Sequence, residues 1–220
     1  MRRLGLLVIF IFGVSALFAS TCDFRGSLEW SYDTNAFSDP LPEGYSLDSG
    51  YPNGGEFLKR QNIGLHLSSD IYFVDDSRIG LSSFLSFRFP YSSLSIIPEG
   101  EGYDWEYREE NSLSRQHVSL FCGLGPVFRF SAGPVDILLP IRLSLGSYDW
   151  FTSGIVVGVS IEPGINISVT DTVFLSFAFT YDAHLMKFFF STREVYDQGY
   201  IMLTAGAYAG VGFRFGGGDA

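Results

Sequence analysis

Few residues in this chain have types and spacing that could do chemistry. His66-x-Ser68 and His117-x-Ser119 each set an imidazole and a hydroxyl two residues apart. On an extended strand that spacing puts both on one face. A base beside a hydroxyl is the minimum for activating an oxygen nucleophile, and a third group must orient the base. Pairs this short arise by chance, so no catalytic residue is assigned. Gly123-x-Gly125 has no helix after it and is not a phosphate loop. Cys22 and Cys122 are too few for a disulfide scaffold, and Cys122 reads as a small hydrophobe. The chain is expected not to be an enzyme and to need no cofactor or metal. What remains is a set of arginines and carboxylates whose chemistry is ion pairing.

These groups lie on segments with a period of two. In residues 24–32, Phe24, Gly26, Leu28, Trp30 and Tyr32 share one face, and Arg25, Ser27, Glu29 and Ser31 the other. Successive strand side chains point to opposite sides, so this is a strand with one apolar and one polar face. The same alternation runs through 61–73, 78–89, 115–131, 135–145, 155–170, 173–184 and 200–215. Phe84, Phe121 and Val127 interrupt the polar faces. Eight strands result, each near or above the ~9–11 residues that cross a bilayer at a tilt.

The connections alternate as well. Asp75-Asp76-Ser77, Ala132-Gly133-Pro134 and Asp171-Thr172 are tight turns, whereas 33–58, 90–112, 146–153 and 185–199 are longer. Short turns on one side and long loops on the other is the arrangement of an outer-membrane barrel with both termini periplasmic.

Composition excludes several classes. Aromatic residues make up 17% of the chain, too many for a disordered polymer. Gly, Phe and Tyr are abundant and are poor helix formers, which disfavours a bundle. Fourteen basic residues against 24 acidic ones give −10, so no nucleic acid partner is expected. Arg2 and Arg3 precede an apolar run and then small residues up to Ser20, the pattern of a secretory signal. Cleavage is expected after Ala19 or Ser20. A membrane anchor is the alternative, but the run is shorter than the ~20 residues of a spanning helix. Lipidation at Cys22 is a further alternative, and Thr21 before it fits poorly. The domains are a signal at 1–20 and a barrel at 21–220.

Two eight-stranded barrels compete. A secreted lipocalin-type barrel keeps its apolar face inside, and a membrane barrel turns it to lipid. Here the apolar face holds Leu, Ile and Phe on every strand, more than an eight-stranded lumen can take. The expected fold is all-β, an eight-stranded antiparallel up-and-down transmembrane β-barrel. Its lumen is expected to be lined by Arg25, Glu29, His66, Asp70, Arg78, Arg88, Arg115, His117, Arg129, Asp136, Arg142, Glu162, Asp182 and Arg214.

The last strand, Gly-Val-Gly-Phe-Arg-Phe at 210–215, alternates toward an aromatic finish. With the length, the signal and the eight strands, it resembles the small outer-membrane barrels of the outer-membrane protein W and outer-membrane protein A/X kinds. The present chain departs from them by a tail, Gly216 to Ala220. The resemblance implies recognition of Phe213 and Phe215 by the outer-membrane assembly machinery. It implies residence among the lipids of the outer membrane of a diderm bacterium, with the long loops extracellular. It also implies a pore or conduit for small or hydrophobic solutes. Lipid A deacylases are eight-stranded barrels with a His-x-Ser pair facing lipid, whereas both pairs here face inward.

The inward charges must be paired or they are costly to bury. A polar conduit and a salt-bridged plug both satisfy that requirement. The loops are acidic: 33–58 carries five acids and no base, and Tyr103, Trp105 and Tyr107 alternate within 90–112. The alternative to a conduit is therefore a non-conducting structural or adhesion barrel whose acidic loops bind partners.

Overall fold

The computed structural model describes residues 21–35, 57–74, 77–99, 104–110, 118–148, 155–188 and 201–216. The proposed signal at 1–20 lies outside them. The strands are β1 (Thr21–Asn35), β2 (Phe57–Tyr72), β3 (Ile79–Glu99), β4 (Asp104–Glu110), β5 (Ser119–Ala132), β6 (Val135–Ser147), β7 (Ile155–Ile161), β8 (Gly164–Ser168), β9 (Val173–Phe188) and β10 (Met202–Gly216). All pairings are antiparallel, and the first strand pairs with the last from Thr21↔Gly216 to Asn35↔Met202. The sheet closes on itself. Closure pairs the backbone groups that lipid cannot hydrogen-bond.

Ten strands make eight staves. β7 and β8 form one stave, since both run between β6 and β9 and the register is unchanged across the break, the one shift against β9 falling earlier, between Val157 and Gly158. The break falls at Glu162-Pro163, where proline has no N–H to contribute to a ladder. The Pro163 carbonyl still accepts from Phe179 N at 3.0 Å. Among the described residues β4 pairs only with the far end of β3, Ser93–Glu99. Part of the segment expected as loop, 90–112, is therefore a hairpin that prolongs the wall. Trp105 and Tyr107 lie on its returning strand, opposite Pro98 and Ile96, and Tyr103 falls outside the described residues.

Hydrophobicity is inverted relative to a soluble barrel. Leu28 is 72% exposed on the outer wall, whereas Arg88 in the lumen is 1% exposed. In the outer wall near the loop end, Trp30 Nε1 donates to Tyr91 OH at 3.0 Å, and Tyr91 OH donates to Gln61 Oε1 at 2.7 Å. Amphipathic rings with hydrogen-bonded edges suit the level where lipid meets water. At the opposite end, Gly133 turns with φ 61° between β5 and β6, a left-handed conformation that glycine adopts without steric penalty.

Interruptions of the polar face have a packing cause. Phe84 and Phe121 join Tyr148, Val156 and Met202 in one apolar cluster inside the lumen. Val127 joins Tyr72 and Leu138 in a second. Room for such rings comes from small residues on neighbouring strands. The Phe174 ring lies where a Cβ on Gly212 would stand.

Candidate functional site

The lumen is the candidate site, and every stave contributes to it because alternate residues point inward. Near the turn end, Arg214 from β10 makes a bidentate pair with Asp23 from β1, at 2.7 and 2.8 Å. Its Nη2 also donates to Asp136 Oδ2 at 2.7 Å. Arg129 stacks on the Tyr72 ring with 3.8 Å from its guanidinium carbon to the centroid. Planar guanidinium suits both uses.

Two ion-pair clusters fill the middle. In one, Arg88 from β3 donates through Nε to Glu29 at 2.7 Å and through Nη2 to Asp182 at 2.7 Å. Ser86 Oγ donates to the second Glu29 oxygen at 2.6 Å. In the other, Arg142 Nη1 lies 2.5 Å from Glu162 Oε2, and Tyr208 OH donates to the same oxygen at 3.0 Å. Arg25 donates to Asp70 at 2.6 Å and to Ser68 at 2.9 Å. Ser82 donates to Asp70 and accepts from Arg142 Nε, which joins Arg25 to the Arg142 cluster.

Nearer the loop end, Asp33 accepts from Asn62 at 2.8 Å and from Thr204 at 2.7 Å. Arg60 Nη1 donates to the Tyr148 carbonyl at 2.7 Å. Tyr148 OH meets His184 Nδ1 at 2.8 Å, and Ser144 Oγ meets its Nε2 at 3.1 Å. Ser144 and His184 are thus a hydroxyl–imidazole pair brought together by β6 and β9. Both are 0% exposed.

Guanidiniums of Arg25, Arg60, Arg88, Arg129, Arg142 and half-buried Arg214 face the carboxylates of Asp23, Glu29, Asp33, Asp70, Asp136, Glu162 and Asp182. Of the residues expected to line the lumen, Arg25, Glu29, His66, Asp70, Arg88, Arg129, Asp136, Arg142, Glu162, Asp182 and Arg214 lie in it. Arg78 does not. It precedes β3 in the turn and is exposed, because the inward alternation of that stave begins only after the turn. Arg115 and His117 fall outside the described residues. Ser68 accepts from Arg25 rather than pairing with His66.

Sequence reasoning missed Asp23, Asp33 and Arg60. Each lies just past a proposed strand end, and each has the parity of its inward neighbours; extending the alternation outward would have found them. Tyr148 also has the parity of Arg142 and Ser144, but it lies three residues past the proposed strand end, deeper in a segment read as loop.

Comparison with solved structures places this architecture. The crystal structure of Neisserial surface protein A matches with a TM-score of 0.53 at 12% identity, over 88% of this chain and 97% of that one. The outer membrane protein OprG from Pseudomonas aeruginosa matches with a TM-score of 0.51 at 11% identity, over 90% and 97%. The chain has the fold of the small outer-membrane β-barrels. No protein-family model and no curated protein sequence matches it. As an outer-membrane-type barrel, it presents its apolar wall to lipid and keeps its charges in the lumen. Phe213 and Phe215 lie on that wall, 48% and 61% exposed.

Proposed function

We propose that this protein is a non-conducting outer-membrane barrel that anchors acidic, aromatic loops at the cell surface. One observation carries the reading. A continuous water path would leave the lumenal side chains accessible, yet Arg25, Arg88, Arg142, His66 and Glu162 are each 2% exposed or less. Side chains an eight-stranded barrel is wide enough to hold have filled it. The ion pairs then act as a plug rather than as a selectivity filter. The conduit reading requires an opening for which the packing provides no support.

In this reading the protein is not an enzyme. The sealed Ser144–His184 pair and the Arg25–Ser68 bond support that view. Its partners are membrane lipid along the wall, the assembly machinery through Phe213 and Phe215, and a basic or polar ligand at the loops. The loops face the outside of a diderm cell, and the turns face the periplasm.

Conductance of the refolded mature chain in a planar bilayer tests this. Heat-modifiable, inserted protein that stays silent is the expected result. Discrete, reproducible steps would overturn it and restore a conduit for small solutes.

A further inference from the structure

His66 sits where the two central ion-pair clusters meet. Its ring is stacked flat between Phe84, at 5.4 Å and 8°, and Tyr208, at 4.4 Å and 12°. The edges are what matter. Nδ1 lies 3.7 Å from Glu29 Oε2, and Nε2 lies 3.4 Å from Glu162 Oε2. Both carboxylates are already engaged as anions, Glu29 by Arg88 and Glu162 by Arg142.

A neutral imidazole has one N–H and one lone pair. Between two carboxylates it must aim that lone pair at one of them. Only the imidazolium offers an N–H to each. The charge balance of the described lumen points the same way. Six guanidiniums face seven carboxylates, leaving one negative charge over. A buried charge without a counterpart is strongly destabilising.

We propose that His66 is held as an imidazolium that bridges Glu29 to Glu162, balances the charges of the described lumen and locks the two clusters into one plug. Loss of its proton loosens the plug, so the lumen is a proton-sensitive device. The charged and titratable groups around it are Glu29 from β1, Arg88 from β3, Arg142 from β6, Glu162 between β7 and β8, and Tyr208 from β10. Of these side-chain types and His66, only imidazole ordinarily exchanges its proton near neutrality. His184 is an internal contrast. Its nitrogens meet two hydroxyls, which donate or accept as required, so it has no need of a charge.

The direct test is nitrogen NMR on the folded chain with labelled histidine, of which there are three. At pH 7 both ring nitrogens of His66 should resonate as protonated, while His184 shows the split pattern of a neutral tautomer. A neutral pattern at His66 would overturn the proposal and assign the extra proton to a carboxyl group. His66→Phe, which keeps a stacked ring and removes both N–H groups, supplies the assignment and a second readout. Its thermal unfolding midpoint should fall by roughly 10 °C. Glu29→Gln should lower the midpoint of the unaltered chain but raise that of His66→Phe, where Arg88 keeps Asp182 and the charge balance is restored. A fall in both backgrounds sinks the idea. Should His66→Phe fail to refold, assignment through His117→Asn and His184→Asn leaves the NMR readout to decide.

Discussion

At the scale of single residues, the lumen depends on arginines that each serve more than one acceptor. Arg88 ties β3 to β1 and to β9, so its loss strands two carboxylates at once. Arg88→Met should cost about 3–5 kcal/mol, because removing one partner leaves buried charge uncompensated. Urea unfolding of the refolded protein, followed by loss of heat modifiability, measures it. Leu28→Ala, on the lipid wall, should cost far less in the same assay, since no cavity opens inside. Gly212 is the opposite case. Any side chain there meets the Phe174 ring, so Gly212→Leu should destabilise by about 1–3 kcal/mol through overpacking. Phe174→Ala in the Gly212→Leu background should recover part of that loss.

Strands behave as units of the wall, with a cost that depends on depth. Leu143 is 64% exposed and lies mid-stave on β6, opposite Leu124 and Val159. Leu143→Arg should cost about 2–4 kcal/mol, the value for a lipid-facing arginine near the midplane. Ile79→Arg, at the start of β3 beside the turn, should cost about 0–1 kcal/mol. Equal costs at both positions, measured in lipid vesicles by denaturant titration, would contradict the placement of the wall in the bilayer. The interrupted β7–β8 stave is less vulnerable than its break suggests, because the register is shared across it on both sides.

For the whole molecule, stability and surface properties separate. The barrel is held by its closed ladder and its lumen, and the acids at 99–110 belong to the loop end of the chain. Replacing Glu99, Glu101, Asp104, Glu106, Glu109 and Glu110 by their amides should change the unfolding free energy by no more than about 0.5 kcal/mol per site. Binding of a polylysine probe to cells or vesicles displaying the protein should fall. An unfolding shift as large as that of Arg88→Met would mean that those acids are structural.

The period of two, the eight staves and the outward apolar face were all open to reading from the chain alone. They follow from local rules: a strand side chain must alternate, and a spanning stave has a minimum length. Even the interruptions at Phe84, Phe121 and Val127 were visible, although their meaning was not. Tertiary structure decided that those residues pack inside the lumen in two apolar clusters. It decided that Asp23, Asp33 and Arg60 belong to the polar interior while Arg78 does not. It also set His66 of β2 between glutamates from β1 and from the bend of the β7–β8 stave. The first pairing joins neighbouring strands, whereas the second runs across the lumen between staves far apart in sequence. Alternation specifies the direction of a side chain, whereas strand tilt and closure determine which charges meet.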